Sequence, residues 1–202
     1  MDGQNWLAAS TAWYDTHAAR FAQDADACNP GLIRQAFLDA LPPTGPILDV
    51  GCGSGRDLAA FAAAGRDGEG WEPAPNLAAI ARTKTTLPVR ERSLDDLPGS
   101  GPWAGIWALG VLLHTPTSDW TRHLRAMAEA LAPGGVACVI VKDGLTNGVD
   151  ARGRPFGALD FDGLNAICPK MDHVAWRITT AHATESSGKV VAWHTVWGQR
   201  LS

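Results

Sequence analysis

In the stretch ILDVGCGSGRD, residues 47–57, a carboxylate, Asp49, is followed by glycines at alternate positions, Gly51, Gly53 and Gly55. A glycine loop leaving a buried strand and entering a helix lets a ligand approach the backbone and places it near the helix N-terminus. The dinucleotide pattern G-x-G-x-x-G needs glycine at 56, where this chain has Arg56, so the spacing departs from a pyrophosphate site. Asp49 also repels a phosphate and suits a ligand that carries an ammonium group. One strand-helix-strand unit later, Glu72 in GWEPAP stands where an acid accepts hydrogen bonds from ribose hydroxyls. An amino group and a ribose in one ligand describe S-adenosylmethionine (SAM).

Elements of a particular kind must hold these residues in place. PILDVG, WAGIWALGVLL and GVACVIVKDG read as buried parallel strands, being continuous apolar runs bounded by turn residues. RDLAAFAAAG, closing at Gly65, APNLAAIARTK and DWTRHLRAMAEALAPGG, with Asp119 at its capping position, read as helices between them. Repeated strand and helix predict an open α/β sheet. HVAWRITTAH and KVVAWHTVWGQR alternate in period two around the polar ATESSG and predict a hairpin at a sheet edge. LAASTAWYDTHAARFAQDA, before the first strand, is amphipathic and is expected to cover something.

Together, ILDVGCGSGRD, WEPAPNLAAIAR, WALGVLLHTP and LAPGGVACVIVKDG resemble, in order and separation, the motifs of the class I SAM-dependent methyltransferases, of the small single-domain bacterial type. The resemblance covers most of the chain. It implies a Rossmann-like, seven-stranded, mostly parallel sheet with helices on both faces and an antiparallel C-terminal hairpin. It also implies one domain over residues 1–202, with a helical cap and linker at 1–44 and the core at 45–202. Asp49, Gly51 and Gly53 match positions that line the methionine end of SAM, Glu72 the ribose acid, and Pro73 a neighbour of the adenine. Ser93 and Leu94 stand in RERSLDDLP where the family often has an acid at the adenine. Cys52, Arg56, Ala108 and Leu109 complete the implied cofactor set. RDGEGWE, with Glu69 and two glycines, replaces the family's apolar second strand and predicts a weak one.

His114 follows the fourth-strand run, at the sheet edge that faces ligands, and is the candidate general base; the competing reading is a neutral structural histidine at a corner. Tyr14 is a lid candidate, its ring set against the sulfonium and its hydroxyl against the methionine carboxylate, with core packing as the alternative. Lys142 and Arg154 are candidates for holding an anionic substrate, or else solvated surface charges. His17 and His194 are read as helix-face and hairpin-face residues, and the nine tryptophans chiefly as fillers between helices and sheet.

With 202 residues, 46% hydrophobic and 19% charged, the chain is expected to fold as one globular domain. A net charge of −4 without a basic block disfavours nucleic acid and points to a small-molecule partner. No apolar run approaches the roughly 20 residues that span a bilayer, and MDGQNWLAAS lacks the pattern of a leader, so a cytoplasmic protein off the membrane is expected. Cys28, Cys52, Cys138 and Cys168 are widely separated, which suggests neither a metal cluster nor a disulfide framework. The expected reaction is methyl transfer from SAM to a small molecule, leaving S-adenosylhomocysteine (SAH). The alternatives are a non-catalytic SAM- or SAH-binding module and a methyltransferase acting on a macromolecule, the latter favoured by an extra domain or basic face.

Overall fold

A computed structural model describes residues 3–28, 30–184 and 190–202. Three helices come first, α1 (Gly3–Thr16), α2 (Ala18–Ala27) and α3 (Gly31–Ala40), and then the alternation begins: β1 (Ile47–Val50), α4 (Arg56–Ala63), β2 (Gly68–Trp71), α5 (Pro75–Lys84), β3 (Val89–Arg90), β4 (Trp103–Leu109), α6 (Trp120–Ala130) and β5 (Leu131–Lys142). A two-stranded ribbon, β6 (Gly148–Val149) with β7 (Pro155–Phe156), precedes α7 (Phe161–Ile167) and the pair β8 (Val174–Thr184) and β9 (Val190–Arg200). The sheet has seven strands in the order β3-β2-β1-β4-β5-β9-β8. β1 to β5 run parallel, while β9 is antiparallel to both β5 and β8, as the period-two pattern predicts. The central part of the ATESSG turn, with residues 185–189, lies outside the described residues. Among the described residues no helix is long and apolar enough to cross a membrane.

Both faces of the sheet are covered, which explains why β1 and β4 read as unbroken apolar runs. Along β4, Ile106 and Ala108 pack into one core with Leu48, Leu124, Met127 and Val139, while Trp107 points to the other face, among Phe37, Phe61, Cys138 and Ile140. Trp107 and Trp120 are fully buried in these layers, so the tryptophans near β4 fill core.

β2 forms despite its polar composition because Glu69 is satisfied within the sheet. Its carboxylate accepts from the Trp71 indole at 2.7 Å and from Arg90 Nε on β3 at 2.6 Å. Short β2 therefore pairs on both sides, with β1 and β3. The long N-terminal amphipathic segment breaks at His17 into α1 and α2. Asp119 is the residue at the N-cap of α6, but its side chain makes no capping bond and accepts from Arg122 at 3.2 Å instead.

Candidate active site

The carboxyl ends of β1, β2 and β4 open into a cavity of about 880 Å³, part of it continuous with solvent. Its place is where open α/β sheets bind ligands. α1 roofs it: Leu7, Ser10, Thr11 and Tyr14 line it at the spacing of one helical face. The floor and walls come from Val50, Gly51 and Gly53 after β1, Glu72 and Pro73 after β2, Ser93 to Asp95, and Leu109 to Val111 and His114 to Pro116 after β4.

The glycine loop is shaped by its backbone. Gly51 and Gly53 take φ of +63° and +56°, the left-handed region where a side chain is strained, and a Cβ on Gly51 would stand 2.6 Å from the Val111 side chain. Gly51→Ala is therefore expected to lower stability by about 1–3 kcal/mol from strain and overpacking, read by urea denaturation. An unchanged midpoint would mean that the loop has room to spare.

Glu72 braces this loop. Its Oε2 accepts from Gly53 N–H at 3.0 Å and its Oε1 from Ala74 N–H at 2.9 Å. Burial nonetheless pushes its carboxyl up to about 7, with the two backbone bonds pulling the other way. The remaining lone pairs border the cavity, where a vicinal diol can donate to them. Because the folded pKa is raised, the ligand-free protein loses stability as pH climbs from about 4.5 through 7. A ligand that needs the carboxylate reverses this: SAM affinity should be level above pH 7 and fall by about tenfold per unit below it. Calorimetry between pH 5.5 and 8.5 checks this, and a flat profile would contradict it.

Asp49 is 2% exposed and lies behind the glycine loop, outside the cavity lining. Leu58 N–H bonds to its carboxyl, whose Oδ2 has no partner among the described residues. Burial, then the neighbouring Asp57, hold it well above the usual carboxylate range.

Across the cavity Tyr14 meets His114, with hydroxyl and Nε2 2.8 Å apart. The other ring nitrogen, Nδ1, is 3.1 Å from the Pro155 carbonyl, which can only accept. Nδ1 therefore carries the proton and Nε2 takes the Tyr14 hydrogen. Burial lowers His114 to about 4 and raises the Tyr14 phenol, so a neutral imidazole faces a protonated phenol at pH 7. The structure thus places Tyr14 and His114 together, with Gly51, Gly53, Glu72, Pro73, Ser93, Leu94 and Leu109, around one cavity.

Other expected residues lie elsewhere. Arg56 turns from the cavity to the Ala25 and Cys28 carbonyls, at 2.6 and 3.1 Å, and to Asp57, tying α4 to α2. Cys52 packs against Leu58, Ala78 and Ala81, and Ala108 is fully buried in the sheet core. Ser93 lines the cavity, but its hydroxyl serves the turn that follows, accepting from Asp95 N–H and bonding to Asp96. Lys142 ends β5 without lining the cavity. Arg154 is held between the Trp13 and Phe156 rings, 4.7 and 4.8 Å from their centroids, and is paired twice with Asp150, at 3.0 and 2.8 Å. It also bonds to the Tyr14 hydroxyl, and it does not line the cavity. His17 stacks on Trp13, and His194 is buried on β9 beside Thr180.

Sequence reasoning missed Ser10, Thr11, Asp95, Asp119 and His123 on the lining. The α1 residues had a signal, their shared helical face with Tyr14. Asp95 had a weaker one, standing two residues beyond Ser93, and Arg122 holds it from both Nη atoms at 3.0 Å.

A family model described as a methyltransferase domain matches residues 19–174, about three quarters of the chain. The chain belongs to the class I SAM-dependent methyltransferases. SAM is accordingly its cofactor, and the site fits it: left-handed glycines leave the backbone bare, and a buried carboxylate borders the cavity at the end of β2. Curated relatives include a ubiquinone biosynthesis O-methyltransferase of Xanthomonas axonopodis pv. citri, 31% identical over 139 residues, 64% of this chain and 56% of that one. A second, from Xanthomonas campestris pv. campestris, is 28% identical over 137 residues, again 64% and 56%. The chain thus spans little more than half the length of these relatives. Among solved structures, the 1,6-didemethyltoxoflavin-N1-methyltransferase of Burkholderia thailandensis superposes with a TM-score of 0.72 at 16% identity, covering 100% of this chain and 92% of that one. A possible histamine N-methyltransferase of Thermotoga maritima gives 0.67 at 15%, covering 93% and 98%. These likenesses show the methyltransferase fold.

Proposed function

We propose that this methyltransferase moves the methyl group of SAM to a hydroxyl of a small molecule, with His114 as the proton acceptor. The observation that carries the reading is the hydrogen bond between Tyr14 and His114 inside the cavity: it marks a neutral imidazole whose lone pair points at a hydroxyl. The names of the curated relatives, O-methyltransferases, support the same acceptor atom.

SAM supplies an electrophilic methyl on a sulfonium. In this reading Glu72 would accept from its ribose, Gly51 and Gly53 would give it backbone room, and Pro73, Leu94 and Leu109, which line the same cavity, would hold its adenine end. Asp49, buried behind the loop, ties it to the first turn of α4 by accepting from Leu58 N–H, and Arg56 serves the site by holding α4 against α2. Tyr14 closes the roof over the reacting groups. An acceptor hydroxyl replaces the Tyr14 hydroxyl at Nε2, or passes its proton through it, and the Pro155 carbonyl at Nδ1 steadies the imidazolium that results. Positioning supplies the larger part of the acceleration, because a base with a pKa of about 4 is weak. Arg154 is here a clamp on Tyr14 and the β6–β7 ribbon rather than a substrate ligand, and Lys142, which does not line the cavity, is given no part in holding the acceptor. A cytoplasmic location belongs to the same reading, supported by four free thiols.

SAH release with matched hydroxyl, amine and thiol acceptors tests the acceptor atom. Turnover on hydroxyls is expected; turnover confined to amines would overturn the O-transfer assignment.

A further inference from the structure

Ser10 lies one helical turn before Tyr14 on the face of α1 that roofs the cavity. It is 5% exposed, and its Oγ has no hydrogen-bond partner among the described residues. A serine inside a helix commonly returns its hydroxyl to the carbonyl four residues back, and Ser10 does not. A buried hydroxyl left without a partner opposes folding, so one kept on a cavity wall points to a ligand that completes it.

The placement of α1 says which ligand. Tyr14, one turn after Ser10 and roughly 6 Å along the axis at about 1.5 Å per residue, meets His114 Nε2 at 2.8 Å. The same helix packs on the Leu112–His114 turn. Ser10 therefore lies beside the part of the cavity that His114 serves.

We infer that Ser10 is a specificity-determining residue that hydrogen-bonds a second polar atom of the methyl acceptor, so that the site favours an acceptor with two polar groups over one with a single hydroxyl. The inference rests on the methyltransferase reading above and names the class of molecule that the site selects.

The test uses the whole chain saturated with SAH and two probes that share one ring, phenol and hydroquinone, titrated by ligand-observed NMR. The parent should bind hydroquinone about five- to tenfold more tightly than phenol, because only hydroquinone carries a second hydroxyl for Ser10. Ser10→Ala should weaken hydroquinone binding by about that factor, the loss of one hydrogen bond, and leave phenol binding unchanged. The same variant should keep its SAM affinity and melt no lower than the parent, since it discards an unsatisfied hydroxyl. Equal binding of the two probes by the parent, equal hydroquinone affinity in both proteins, or a lowered melting temperature overturns the inference. Loss of SAM affinity in Ser10→Ala would assign the hydroxyl to the cofactor and overturn it too. A parent that binds neither SAM nor SAH would remove the methyltransferase reading and this inference with it.

Discussion

Glu72→Gln weakens SAM binding by about 10² to 10⁴-fold while the protein stays folded. The ribose diol can donate twice to a carboxylate, and each charge-assisted bond contributes about 1.5–3 kcal/mol, so losing both gives that range. Glutamine keeps the size of the side chain and one oxygen. It cannot accept from both Gly53 and Ala74 N–H, as the carboxylate does at 3.0 and 2.9 Å, so the loop relaxes at one of them. Against this stands a gain, since the buried carboxyl, with its pKa near 7, no longer has to ionise. The two effects on stability oppose one another, whereas the effect on binding has one sign. Calorimetry with SAM and thermal melting on one preparation separate them, and parent-like affinity would take the ribose away from Glu72.

Removing the imidazole acts on rate rather than on binding. His114→Ala should lower the single-turnover rate on a hydroxyl acceptor by about 10²-fold, the lower end of the range for general bases, because burial leaves His114 a weak base. SAM affinity should stay close to that of the parent. The rate of the parent should be level through neutral pH and fall as acid protonates Nε2 near pH 4, since the folded pKa lies below the ordinary value of 6.5. Tyr14→Phe should cost less, as it leaves the lone pair of His114 in place. A folded His114→Ala protein with parental turnover would reduce the residue to a structural corner between β4 and the β6–β7 ribbon.

The fold was legible where chemistry leaves a period or a stop. Ile47–Val50 and Trp103–Leu109 are buried almost throughout because both faces of the sheet are covered, and β8, paired to β9, forms the sheet edge that the hairpin predicts. β2 was harder to read. Its Glu69 is compensated by Arg90, a partner 21 residues away that no local pattern announces. The capping role of Asp119 failed for a similar reason: Arg122, three residues on, competes for the carboxylate.

The site was legible in part. Glycines with left-handed φ and an acid at the end of the next strand are local signals, and they reach the cavity. Arg56 and Cys52 share the loop but face away from it, and spacing alone does not tell which side a residue takes after a tight turn. The meeting of Tyr14 and His114, 100 residues apart, depends on how α1 folds back over the sheet. Arg154 looked like a free cation in RGRPF, yet its partners are Asp150 four residues before it and Trp13 on the roof.

The most direct test of the central claim is incubation of the protein with SAM labelled in its methyl group and a panel of hydroxylated small molecules, followed by mass spectrometry. The account predicts labelled methyl on the oxygen of a member of the panel, with one SAH formed per product and the signal falling by about 10²-fold in His114→Ala. Tight SAM binding without label in any small molecule would contradict it and leave a cofactor-binding module.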